Sequence, residues 1–368
     1  MSIVTEKSIT YVNNTTDASI TTKELDLDTC YGANDIVIKI HAAGMNPVDG
    51  LTHALCGKWT GGSGLKTYGR DFAGTIIRRG ANVNEKWAID AKVNGQFKHM
   101  WGEAGTFTNY FVCNPDNVRS INIMSKVPES LTSKYNEFVV SAAWPLVYGT
   151  AWSTLFLKNQ KWTKDSKILV IGASTSVGNA IVQIAKNHLK IGTVVGICNS
   201  RAVEHNKALG YDFLIPYNDP KVSTVEGVQN LVKQELGGDK FDLIFDSVGN
   251  NEFFPIMDTV LKSRCSNSQY ITIVGDEVMD FTDNTLWGHM TFKPMLRKFN
   301  PLRKFNYDLT LLENRYEFME LGAEMIENGT YVPEIDSVFK FADFKQAKEK
   351  LDSHKARGKI VLDMQEEW

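Results

Sequence analysis

The sequence predicts an α/β fold in two parts, a β-rich region followed by a doubly wound parallel sheet. Three observations lead there. Residues up to about 135 read as short strands between glycine-marked turns. From about Phe138 the rhythm changes to strand–helix alternation at the spacing of a parallel sheet. Within that second part, Lys167–Lys186 (KILVIGASTSVGNAIVQIAK) runs from an apolar strand through a turn of small residues straight into an amphipathic helix.

In chain order, Asp35–Ala43 alternates apolar and polar residues as a half-buried strand does. Gly69–Ile77 reads as a turn entering a strand, and Lys92–Gly95 and Gly105–Val112 continue the pattern. The strands of the second part are Ile168–Ile171, Thr193–Cys198, Phe213–Pro216, Phe241–Ser247 and Tyr270–Val274. Helices are expected over Asn179–Leu189, Ala202–Leu209, Val225–Leu236 and Asn251–Leu261. Toward the end, helical Tyr316–Asn328 leads to a strand at Ile335–Phe339, and helical Phe341–His354 leads to a closing strand at Gly358–Leu362. These last elements are expected to return to the first domain.

With 368 residues the chain can form two domains and a large core. A net charge of −3 gives no reason to propose nucleic acid as a partner. No window reaches the roughly 18 apolar residues of a membrane span. The start, MSIVTEKSITYVNN, has neither the basic and apolar regions of a secretory signal nor the arginines of a mitochondrial presequence. Five scattered cysteines without a CxxC suggest reduced thiols, and a cytoplasmic location is expected.

A strand, tight turn and helix in immediate succession form the site where a dinucleotide pyrophosphate binds, facing the free N–H groups and the positive end of the helix. The usual fingerprint places small residues at its first, third and sixth positions, here Ala173, Thr175 and Gly178. The middle one is normally Gly. Thr175 there costs about 1–3 kcal/mol if the turn needs a positive φ. The hydroxyls of Thr175 and Ser176 offer donors to phosphate in return.

At this point several motifs, in order, carry a resemblance. They are His41–Asp49 (A-x-x-x-N-P-x-D), Gly69–Gly74 (G-x-D-x-A-G), Ala142–Leu146 with Gly149–Ala151 (A-x-x-P…T-A), Phe241–Gly249 (ending D-x-V-G) and Arg357–Val361, set against an R-x-x-G-K-hydrophobic ending. The chain resembles zinc-less medium-chain dehydrogenase/reductases of the quinone oxidoreductase type. It is most similar to a fungal subgroup found in cytosol and on lipid droplets. The resemblance implies a GroES-like catalytic domain over 1–138 and 315–368 and a Rossmann dinucleotide-binding domain over 139–314, with the active site between them. Family members are often dimers joined through the sheet edge, which implies a homodimer.

Zinc is not expected. The zinc-dependent branch has G-H-E where this chain has Gly69-Arg70-Asp71, and the seven histidines show no ligand spacing. The second strand of the parallel sheet ends in Cys198-Asn199-Ser200-Arg201, without the carboxylate that binds the ribose of NAD. Ser200 and Arg201 suit a 2′-phosphate, so NADPH is the expected cofactor. The cofactor set comprises Ala173, Ser174, Thr175, Ser176, Val177, Gly178, Asn199, Ser200 and Arg201 in these two segments, with Ser247, Val248 and Val274 at the later strand ends. The resemblance adds Asn46, Thr150 against the nicotinamide, Tyr217 against the adenosine and Lys359.

The implied reaction is hydride transfer to a quinone or an α,β-unsaturated carbonyl, with negative charge developing on an oxygen that hydrogen-bond donors must hold. Asn46 is either such a donor or a brace for the turn before Pro47. Tyr68, with His53, is a weaker candidate for relaying a proton, and Asp49 reads as a turn or packing residue. Trp59, Trp101, Trp144 and Tyr148 are candidates for lining an apolar substrate pocket, with Tyr68 in the same aromatic cluster. Residues 284–307 hold no acid and five basic residues among aromatics. They read either as a lid or dimer-edge loop with a solvated basic face, or as a peripheral contact with a lipid surface. The rival to the reductase is a non-catalytic or nucleotide-sensing interaction protein on the same fold with a degenerate cofactor turn.

Overall fold

A computed structural model describes residues 2–59, 61–99, 101–278, 293–301 and 303–365. The described chain forms two units. One takes residues up to Leu146 and from Asn314 onward; the other runs from Val147 to Glu313. The first crossover thus falls after Leu146, beyond the expected boundary at 138, because the helix Glu137–Ala142 packs on the sheet of the first unit.

In chain order the first unit contributes β1 (Ile3–Tyr11), β2 (Ser19–Asp26), β3 (Ile36–Met45), β4 (Lys66–Thr67), β5 (Asp71–Arg79), β6 (Lys92–Gln96), β7 (Tyr110–Cys113) and β8 (Ile121–Ile123). The second unit contributes β9 (Lys167–Ile171), β10 (Thr193–Cys198), β11 (Phe213–Pro216), β12 (Leu243–Asp246), β13 (Gln269–Thr272) and β14 (Asn306–Leu309). The chain then returns to the first unit with β15 (Ile335–Lys340) and β16 (Lys359–Asp363).

In the first unit, β16 lies between β15 and β3 in a sheet that continues through β5, β6 and β8, with β7 also on β3. Antiparallel pairing sets Ile360 opposite Met45 and Ala42 opposite Ala73. The end of β3, the start of β5 and the start of β16 therefore meet. Alternation along β3 sends Ile36, Ile38 and Ile40 into a core shared with Phe72, Phe107, Phe111, Phe344 and Leu362.

The second unit is a six-stranded sheet in the order β11-β10-β9-β12-β13-β14, parallel throughout. Its central strands, covered on both faces, are continuous apolar runs, as parallel sheets require. Three sequence expectations change here. The sheet does not end at the strand begun by Tyr270: Asn306–Leu309, which starts at the end of the basic segment, is a sixth strand in register with β13. The helix expected over Asn251–Leu261 is a 3-10 turn at Phe254–Ile256 and a single helical turn at Met257–Val260, because Pro255 has no N–H to continue a longer one. The helix after the nucleotide turn runs Ser176–Gln183 and then widens into a π turn, Ile184–His188.

Residues 284–292 and 302 of the basic segment lie outside the described residues. Its described cations do not form a uniformly solvated face. Lys293 pairs with Glu277, Arg297 with Asp276 at 2.6 Å and Lys298 with Asp308 at 2.6 Å. Among the described residues no helix is long and apolar enough to cross a membrane.

Candidate active site

The sequence-predicted residues of the second unit gather at the carboxyl ends of its parallel strands. After β9 the chain turns at Gly172 and enters the helix Ser176–Gln183 with Thr175 as its N-cap. Thr175 has φ −74° and ψ 155°, ordinary extended backbone, so the strain expected of a side chain at this position is absent. Its hydroxyl accepts the Gly178 N–H at 3.1 Å, donates to Gly172 O at 2.8 Å and lies 3.0 Å from the Ser247 hydroxyl. The N–H groups of Ser176 and Val177 take no partner among the described residues, which leaves two donors at the positive end of the helix for an anion. Gly178 is required by close approach: a Cβ there would stand 2.5 Å from Gly172 O and 2.9 Å from Ala173 O. Ser174 accepts a hydrogen bond from Asn206 at 2.8 Å, and Ala173 is fully buried.

At the end of β10, the Asn199 side chain caps a 3-10 turn by accepting from the Arg201 N–H and donates to the Tyr217 hydroxyl at 3.1 Å. Ser200 and Asn218 hold each other through two bonds. Asn199, Ser200, Arg201 and Tyr217 thus form one exposed patch. The Arg201 side chain makes no hydrogen bond or ion pair among the described residues, and the first carboxylate after it in the chain is Glu204. At the end of β12, buried Asp246 accepts from the N–H groups of Val248, Gly249 and Asn250 and from the Tyr270 hydroxyl, which fixes the turn carrying Ser247 and Val248. Burial pushes the Asp246 carboxyl above its usual range. Val274 donates its N–H to Thr272 Oγ1 after β13, and Thr150 is buried in the helix Pro145–Phe156.

In the first unit the sheet register brings together Asn46, Asp71 and Lys359, all at most 3% exposed. Lys359 Nζ donates to Asp71 Oδ2 at 2.7 Å and to Asn46 Oδ1. Asn46 Nδ2 donates to Asp71 Oδ2 at 3.0 Å and to Gly44 O at 3.3 Å. The second Asp71 oxygen accepts the Leu146 N–H at 2.9 Å. Reversing the Asn46 amide would set its NH₂ against an ammonium and its oxygen against a carboxylate, so the neighbours fix its orientation. Gly44 makes room for this cluster, since a Cβ there would lie 2.9 Å from Lys359 Cε and 2.4 Å from Ala142 O. Both Asn46 Nδ2 donors bond protein oxygens, as in the bracing role that the sequence left open beside that of an oxyanion donor. The Asn46 backbone N–H donates to Asp49 Oδ2 at 2.8 Å in a capping box for the helix Pro47–Ala54.

Tyr68 and His53 are brought together in the core of the first unit. The Tyr68 hydroxyl lies 2.6 Å from His53 Nδ1. His53 Nε2 faces two carbonyls, Asn13 O at 3.1 Å and Thr16 O at 2.9 Å, so Nε2 carries the ring proton and Nδ1 accepts from Tyr68. Burial pushes the Tyr68 phenol well above its usual value and holds His53 below its own. This is a core hydrogen-bond chain. Nearby, burial pushes Asp49 up to about 7 while the Arg70 guanidinium pulls the other way; Asp49 Oδ1 and Arg70 Nε stand 3.9 Å apart, each buried without a hydrogen bond.

The aromatic candidates do not form one wall. Trp59 is fully exposed, Trp101 packs on the core of the first unit with its indole N–H on Thr52 O at 3.2 Å, and Trp144 and Tyr148 are buried. Among the described residues no group of three or more His, Cys, Asp or Glu is placed to hold a metal ion. Asp71, at the acidic position of the Gly69-Arg70-Asp71 turn, is occupied by Lys359. The donor set does not fit a catalytic zinc, whereas the turn, the two free N–H groups and Arg201 fit a phosphorylated dinucleotide.

Sequence reasoning passed over Asp71 as part of a turn motif. The signal available was an acid entering a buried strand, which needs a cation somewhere in the chain.

Comparison with known proteins agrees with this geometry. Residues 32–123 match the alcohol dehydrogenase GroES-like domain, and residues 209–362 match the zinc-binding dehydrogenase model. The chain is 47% identical over 362 residues to Protein YIM1 of Saccharomyces cerevisiae, covering 98% of this chain and 99% of that protein. Its fold is similar to the quinone oxidoreductase from Coxiella burnetii (TM-score 0.71, 20% identity, 98% and 100% of the two chains). It is also similar to a putative NADPH:quinone reductase from Bacillus thuringiensis (TM-score 0.70, 17% identity, 98% and 99%). The chain belongs to the medium-chain dehydrogenase/reductase family, an oxidoreductase fold built on a nicotinamide-dinucleotide domain.

Proposed function

We propose that the protein is an NADPH-dependent reductase of quinones or α,β-unsaturated carbonyls that works without zinc. The observation that carries this reading is the Arg201 guanidinium, without a partner among the described residues, beside Ser200 and Tyr217, where an NAD enzyme has a carboxylate. NADPH, when bound, supplies the hydride. The chain supplies binding and orientation: the Ser176 and Val177 N–H groups take the pyrophosphate, and Arg201 and Ser200 take the 2′-phosphate. The names of the quinone oxidoreductase neighbours support the substrate class. The donor set of the first unit supports chemistry without a metal, because buried Lys359 already neutralises Asp71. Neither Asn46 nor Tyr68 has a proton to give, so water protonates the reduced substrate. The interaction-protein rival rested on strain at Thr175, and the ordinary backbone there removes its support.

The test is a fluorescence titration with NADPH and with NADH, followed by assay of NADPH oxidation against a panel of quinones and enals. Micromolar NADPH binding, much weaker NADH binding and turnover of at least one substrate are expected. Failure to bind either nucleotide at millimolar concentration refutes the reading.

A further inference from the structure

A cavity of about 240 Å³ opens in the second unit, away from the nucleotide turn and sharing no residue with it. Phe254, Phe305 and Tyr307 give it an aromatic side, and Arg297, Arg303 and Lys304 give it a cationic one. Its one acidic lining residue is Asp258. The aromatic side is rigid: Phe254 and Phe305 stack with ring centroids 6.1 Å apart, and the Tyr307 hydroxyl donates to buried Asp276 at 2.6 Å. The same Asp276 anchors Arg297 through Nε and so holds its guanidinium over the Phe254 ring, 3.7 Å from the centroid.

Among the described residues neither of the other two cations is neutralised. The Arg303 side chain has a single partner there, the Lys298 carbonyl, and its Nε is buried without any. Lys304 is exposed and makes no ion pair among the described residues. A buried guanidinium N–H without an acceptor is costly, and an anion in the cavity would satisfy it. Arginine forks match the oxygens of a phosphate in pairs, and two arginines with a lysine favour a dianion over a single carboxylate. We propose that this cavity is a second binding site, selective for a phosphate monoester carried on a small flat apolar group. The phosphate sits between Arg303, Lys304 and Arg297, and the apolar group lies against Phe305 and Tyr307.

The experiment is a calorimetric titration of the full chain with phenyl phosphate, inorganic phosphate and benzyl alcohol, repeated on Arg303→Gln/Lys304→Gln, on Lys304→Gln alone and on Arg201→Gln. Phenyl phosphate is expected to saturate one site and to bind at least about tenfold tighter than inorganic phosphate or the alcohol. The double variant is expected to lose about tenfold or more, and Arg201→Gln nothing. Lys304 is exposed, so its single variant keeps the fold and still shows a weakening. Loss of binding in Arg201→Gln with none in the double variant places the phosphate in the nucleotide site and overturns the proposal, as does the absence of saturable binding at millimolar concentration. Sedimentation with phosphatidic acid vesicles distinguishes the source of the monoester. Co-sedimentation that depends on Arg303 and Lys304 assigns a lipid head group; phenyl phosphate binding without it assigns a soluble ligand.

Discussion

The ammonium of Lys359 stands 2.7 Å from the carboxylate of Asp71, and both side chains are shut off from solvent although 288 positions separate them in the chain. A buried pair of this kind adds little stability over an apolar replacement, yet losing one partner strands a charge. Lys359→Met is therefore expected to destabilise the first unit by about 3–5 kcal/mol. The double variant Asp71→Asn/Lys359→Met is expected to recover part of that loss. Urea unfolding of the single and double variants measures both; equal stability of Lys359→Met and the parent would show that the pair does not hold the unit together.

Arg201→Gln is expected to weaken NADPH binding by about ten- to a hundredfold, since a charge-assisted contact to phosphate is lost. NADH binding is expected to stay within about twofold. Parallel fluorescence titrations read the difference; equal losses for the two nucleotides would remove the 2′-phosphate role from Arg201.

The backbone at Thr175 leads to an unusual expectation. Thr175→Gly, which restores the common fingerprint, should not tighten NADPH binding appreciably, because no positive φ is being relieved. Thr175→Val should lower stability by about 1 kcal/mol through loss of the N-cap, and Thr175→Ser should keep it. Thermal unfolding and NADPH titration of the three variants decide this, and a large affinity gain in Thr175→Gly would mean that the threonine does block the site.

Asp49 makes stability depend on pH. Its folded-state value, about 7, lies above that of the unfolded chain, so between roughly pH 4 and 7 the folded state holds a proton that the unfolded state has released. This group therefore lowers stability as pH rises through that window, and its effect levels off above it. Asp49→Asn keeps an oxygen for the Asn46 N–H and removes the ionisation. The gain in unfolding free energy of Asp49→Asn over the parent should be small at pH 5 and grow toward pH 8. A gain independent of pH would contradict the assignment.

Tyr68→Phe leaves His53 Nδ1 buried without its donor and is expected to cost about 1–3 kcal/mol of stability. With a quinone or enal that turns over, kcat is expected to be unchanged within about twofold, because the Tyr68 hydroxyl donates to His53 Nδ1 and not to substrate. A large fall in kcat with intact stability would restore Tyr68 to catalysis.

The parallel strands were legible almost to the residue. Thr193–Cys198 stands where its apolar run ends, because a strand covered on both faces has no other composition available, and Phe213–Pro216, at the edge of the sheet, is apolar throughout as well. Asn306–Leu309 was not, since four residues of mixed polarity follow a basic run, and two partners of that run, Asp276 and Glu277, lie well back in the chain. The nucleotide turn was legible as a motif, but the φ of Thr175 depends on a cap that sequence spacing does not reveal. The Asn46–Asp71–Lys359 cluster was legible only as three separate motifs. What joins them is the register of β16 on β3 and of β3 on β5, a property of the folded sheet.

The position of β16 between β15 and β3 sets an order of events during synthesis. On the ribosome the amino-terminal segments emerge first, and domains ordinarily fold in the order they appear. Here the sheet begun by those segments lacks an interior strand, and Asp71 lacks its counter-ion, until Lys359, 288 positions further on, has been made. The nucleotide-binding unit, encoded in the middle, has all its described strands out of the exit tunnel before β16 is translated. The half of the protein that starts first finishes last, and a ribosome that stalls before Lys359 leaves that half open with an unpaired strand edge.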